Sequence, residues 1–108
     1  MENEDGCPYD TVCFHCQQAC EKYLKALLTL SGIHAPRTHD LEVLVALLPS
    51  IIRSRTVALG LSSLNPYAVD VRYADDWRDP QRKDAIHAMQ LAAILRDTAR
   101  QSLPSASL

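Results

Sequence analysis

This chain is poor in aromatics, with one Phe, one Trp and four Tyr among 108 residues. A core must therefore be built mostly from Leu, Ile, Val and Ala. No apolar run approaches the roughly 18 residues a transmembrane helix needs. Basic residues are also absent from the opening MENEDG, the reverse of a signal peptide's n-region. Both absences point to the cytoplasm, where cysteines stay reduced. Positive charge is not in excess either: a net charge of −2 argues against a strongly basic nucleic-acid glove, though a local basic groove remains open. With 47% hydrophobic and 22% charged residues, the composition excludes a disordered chain. No internal repeat or linker interrupts it, and its length leaves little room for a second core. Residues 1–108 are thus expected to form one domain, with loose ends at about 1–8 and 102–108.

Gly and Pro are absent from Cys13 to Leu30, and helix formers dominate that stretch. Apolar and small residues fall at 13, 16, 20, 23, 24 and 27, the spacing of a buried helical face. Gln17, Glu21 and Lys25 recur at four-residue intervals and are assigned to the opposite, solvent side, with Glu21 and Lys25 in the favourable acid-before-base order. The expected helix covers 13–30, about 27 Å long, with Asp10 or Thr11 as a cap and Gly32 as its stop.

Thr38 then offers an N-cap for a second helix over His39 to about Leu48, with Leu41, Leu44, Val45 and Leu48 inward and Pro49 ending it. From Ser50 to Leu64 propensity alone permits a strand, but no second run exists for it to pair with, so a third helix with an uncertain end is preferred. Residues 65–79 are expected to be loop. Asp79 and Pro80 read as N-cap and first helical residue of a last helix across 81–99, ending near Gln101. Its inner face is assigned to Ala85, Ala88, Met89, Ala92, Leu95 and Ala99. The whole is an all-α, up-and-down bundle of about four helices.

Four cysteines, Cys7, Cys13, Cys16 and Cys20, resemble a metal site by number, and four thiolates can hold zinc or an iron–sulfur cluster. Three of them lie on the core-facing stripe, however, where Cys acts as a small hydrophobe. Packing is the preferred reading, with no metal and no cofactor, and a cysteine-ligated metal or redox protein is the alternative. His15, Gln18, Lys22 and Lys25 project from one face of the first helix. They form a small basic, hydrogen-bonding patch suited to a phosphate or a carboxylate, or else a solvated face. Arg37 and His39 flank the next turn, where His39 is expected to orient the R-T-H-D segment. Arg72 and Tyr73, near Trp77 and Arg78, could stack a base and hold a phosphate, but Asp70, Asp75, Asp76 and Asp79 oppose an anion. These loop residues equally well cover one end of the bundle.

Taken together, Phe14, His15, Gln17, Gln18, Glu21, Lys22, Leu24, Lys25, Ala26, Leu27 and Leu28 are followed by Gly32, Ile33, Pro36 to Leu41, and later Arg72 and Tyr73. This pattern resembles the HEPN domain (higher eukaryotes and prokaryotes nucleotide-binding) over about residues 9 to 100. The resemblance implies a helical module associated with nucleotides or RNA, often encoded beside a minimal nucleotidyltransferase as in a toxin–antitoxin type pair, and tending to dimerise. Members usually carry another helix ahead of the F-H-x-Q-Q helix. Only about ten residues precede it here, so the chain reads as a short member whose exposed apolar surface suits a partner subunit. Ribonucleases of the family use an Arg followed after a short gap by a His. Arg82 and His87 match that spacing and define the enzymatic alternative, a metal-independent RNA endonuclease toxin. In it Arg82 would stabilise the phosphorane and His87 would act as general acid or base.

Overall fold

A computed structural model describes residues 9–68 and 80–102. Those residues form four α-helices and one 3₁₀ helix, with no strand among them. Helix α1 spans Tyr9–Leu30, α2 Leu41–Ala46, α3 Ser50–Val57 and α4 Arg82–Ser102; the 3₁₀ helix covers Leu61–Tyr67. The all-α reading holds.

α1 is the central element: α4 packs along it, and α2 and the 3₁₀ helix pack on it as well. Its 22 residues span about 33 Å, and it begins four residues earlier than expected, so Asp10 and Thr11 lie inside the helix rather than capping it. Its end is as the sequence indicates. Gly32 adopts φ 76°, Gly32 N–H donates to the Thr29 carbonyl (3.0 Å), and Ile33 N–H donates to the Leu28 carbonyl (2.8 Å). This is a Schellman closure, completed by Ile33 folding back against the core.

The core is aliphatic, as the shortage of aromatics requires. Leu24, Leu27, Leu28, Leu41, Leu44, Leu61, Leu64 and Leu95 are fully or almost fully buried. Cys13, Cys20, Ala85, Ala88 and Ala99 are buried with them, and such small side chains permit a close approach of helix axes. The α4 inner face needs one correction: Leu91 is buried and Met89 is exposed.

Helix α2 is shorter than expected. Its N-cap is Asp40, not Thr38: the Asp40 carboxylate accepts from Glu42 N–H, while Thr38 Oγ1, two residues earlier, accepts from Asp40 N–H. The third helix divides in two. Gly60 takes φ 64°, a left-handed conformation that separates α3 from the 3₁₀ helix. The expected loop from Asn65 therefore starts later, since the 3₁₀ helix runs on through Pro66 to Tyr67. At α4 Pro80 stands two positions ahead of the helix rather than at its first residue. Gln81 precedes the helix instead, and its N–H donates to the Asp84 carboxylate at 2.8 Å, the third-residue half of a capping box. Asp79, the expected cap, lies outside the described residues.

Candidate functional site

The largest departure from the sequence reading sits on α1. Gln17 is fully buried and Glu21 nearly so, not on the solvent side. At about 100° per residue, Gln17 falls only about 20° from Leu24 and so in the middle of the apolar stripe. A buried amide and carboxylate need partners, and the R-T-H-D segment supplies them. Gln17 Nε2 donates to the His39 carbonyl (3.0 Å), and Gln18 Nε2 donates to Gln17 Oε1 (2.7 Å). Glu21 takes His39 Nδ1 at 2.8 Å on one oxygen and Lys25 Nζ at 3.0 Å on the other.

The network continues across the bundle. Asn65 Oδ1 accepts from Leu41 N–H (3.0 Å), and its amide donates to Asp40 Oδ1 (2.9 Å). Asn65, taken from sequence as the start of a loop, thus secures the α2 N-terminus from the 3₁₀ helix. The polar positions of the motif join α1, the turn and the 3₁₀ helix. His39 does orient the turn, through both its ring and its carbonyl.

Burial pushes the Glu21 carboxyl up, but hydrogen bonds from His39 and Lys25 and their charges outweigh it, and the group lies below the ordinary carboxylate range. The thiols move the other way. Burial raises Cys13 to about 11, although a hydrogen bond from Tyr67 lowers it in part. Cys20 rises to about 12, and Cys16, half-buried, is raised by the same cause. Protonated, buried thiols are poor nucleophiles and poor ligands. Among the described residues no three His, Cys, Asp or Glu gather as a metal site; Cys7 lies outside them. In the native protein at pH 7.5, Cys13 and Cys20 are expected to resist iodoacetamide for hours and to react within minutes once urea unfolds the chain. Peptide mass mapping reads this, and rapid native labelling of Cys20 would contradict the packing.

The other candidates are dispersed. His15 and Lys22 are exposed on the solvent face of α1, and the His15 ring meets the Phe14 ring edge-on at 5.5 Å and 64°. Gln18 and Lys25 are half-buried and already bonded to Gln17 and Glu21, so of the basic patch His15 and Lys22 remain outward. Arg37 is exposed in the turn. Arg82 and His87 are both exposed on α4, about 140° apart around its axis, and one chain does not bring them together. Arg72 and Tyr73 lie outside the described residues, as do Trp77 and Arg78. Sequence reasoning missed Gln17, Glu21 and Asn65 as a network. The signal for the first two was their angular position on α1; for Asn65 there was none.

A family model of the HEPN domain matches residues 1–102, nearly the whole chain. The chain belongs to the HEPN domain family, a class of helical modules associated with nucleotides and RNA, whose members commonly dimerise. No curated protein and no solved structure matches it. No helix among the described residues is long and apolar enough to cross a membrane.

Proposed function

We propose that this chain is a cytoplasmic binding module, a homodimer that acts with a minimal nucleotidyltransferase protein in a toxin–antitoxin type pair and meets nucleotide or RNA through its exposed basic positions. The observation that carries this reading is the use made of the motif. Gln17, Glu21 and His39 are spent on one another, and Lys25 is bound to Glu21. These residues fix the shape of a surface rather than present a reacting group. The outward His15, Lys22 and Arg37 give that surface donors for a phosphate or a carboxylate, and Arg72 and Tyr73 are candidates for the same contact. Catalysis by Arg82 and His87 would need both groups within reach of one phosphodiester, and within a chain they diverge.

Co-expression of the chain with the product of the adjacent gene, followed by purification on a tag carried by one of them, tests the reading. The two are expected to co-elute in fixed stoichiometry, and the chain alone is expected to leave single-stranded RNA uncleaved. Specific cleavage by the purified chain, abolished by both Arg82→Ala and His87→Ala with the helical spectrum intact, would overturn the binding reading and establish the ribonuclease. Failure to co-elute would remove the partner.

A further inference from the structure

Helix α3 is thinly held. Of its eight residues only Thr56 is buried, and it packs on α2. Isolated helices of this length are unstable in water, yet α3 turns Ile51 (73% exposed) and Val57 (61%) to solvent. Val43 on α2 and Leu47 just after it are exposed as well. Between the two helices runs a groove of about 250 Å³ with a floor of Val45, Ala46, Val57 and Leu61. The buried Thr56 hydroxyl at its base is turned to the Ile52 and Arg53 carbonyls, so the groove is mainly apolar.

The charges at its walls identify the occupant. Glu42 lines the α2 wall and Arg53 the α3 wall. Neither side chain has an ion-pair partner among the described residues; the Arg53 guanidinium only reaches the Ala46 carbonyl at 3.5 Å. One acid and one base on the walls of a single apolar groove make a self-complementary surface. A two-fold operation brings each charge onto its opposite in the second copy, twice over, because in such an interface residue i meets j and j meets i. The outer face of α4 also exposes Ile86, Met89 and Ile94, but none of these lines the groove that holds Glu42 and Arg53.

We propose that the α2–α3 groove is the contact between two copies of this chain, with Arg53 of each copy meeting Glu42 of the other and Val57 covered between them. This deepens the dimer proposed above and rests on it. It leaves Arg82 and His87, carried by α4 on α1, outside the contact.

Sedimentation equilibrium on the full chain tests the assignment, with Glu42→Arg and Arg53→Glu as variants. Both sites are exposed, so both variants are expected to keep the wild-type helical spectrum. Wild type should sediment at twice the 12.0 kDa chain mass. Each reversal alone sets like charges face to face and should raise the dimer Kd roughly tenfold or more. Mixing the two variants should restore association, since every cross-contact is again between opposite charges. Met89→Asp on α4 should leave the dimer intact. A wild-type dimer indifferent to both reversals, a mixture that stays dissociated, or dissociation by Met89→Asp alone would overturn the groove as the contact. A wild type that remains at 12.0 kDa at all concentrations would instead remove the dimer itself.

Discussion

Leu24→Ala is expected to lower the unfolding free energy by about 2–5 kcal/mol, a large share of the roughly 5–15 kcal/mol that holds a domain of ordinary stability. Leu24 is fully buried near the middle of α1, the helix on which α4, α2 and the 3₁₀ helix all pack. Phe14 lies at the surface, and the tyrosines that pack against the core, Tyr9, Tyr23 and Tyr67, are only partly buried. The neighbouring buried side chains are held on helices, so the cavity stays largely open and its cost adds to the lost transfer energy. Urea unfolding followed by circular dichroism at one fixed protein concentration reads the effect, since association would otherwise shift the midpoint. Leu30→Ala is the control, because Leu30 is exposed and the change should fall within about 0.5 kcal/mol. Equal, small losses in both variants would mean that the core is not centred on this helix.

What was legible in advance follows from the range of the forces involved. The α1 and α4 helices show in the sequence because their signals are local. Apolar spacing sets a face, Gly32 stops α1 through its left-handed backbone, and no residue in between breaks either run. Val43, Leu47 and Ile51 are apolar yet exposed, whereas Leu61 and Leu64 on the 3₁₀ helix are buried. Met89 was placed inward because it is apolar; position 91 is the one α4 turns to the core. Gln17 and Glu21 were placed outward because they are polar, a rule that fails wherever a distant segment brings a partner. The partner here is His39, eighteen positions beyond Glu21, and nothing local announces that meeting. Asn65, twenty-five positions beyond Asp40, is harder still. The family motif was recognisable as a pattern, but its reason is tertiary: it is the set of polar residues that ties the turn to α1.

That tie makes the fold sensitive to acid, and Glu21→Gln should reveal it. The Glu21 carboxyl sits below the ordinary carboxylate range in the folded chain, so folding favours its charged form. The stability it contributes is fully present above the unfolded value, near 4.3 for Glu. It is lost as pH falls through the lower folded value. Glu21→Gln keeps the size of the side chain but removes the charge, and one side-chain oxygen becomes a nitrogen that cannot accept from either His39 or Lys25. The pair is worth less than a fully buried one, because the His39 and Lys25 side chains are 55% and 32% exposed and water screens them. A loss of about 1–2 kcal/mol at pH 7 is expected, from charged hydrogen bonds worth roughly 1.5–3 kcal/mol when shielded. The gap between wild type and Glu21→Gln should close progressively below about pH 4. Other carboxylates titrate in the same window, but they do so in both proteins, and the difference isolates Glu21. Urea midpoints for the two proteins at pH 7, 5, 4 and 3 make the measurement. A gap that persists unchanged at pH 3 would show that the loss comes from packing around residue 21 and not from its charge.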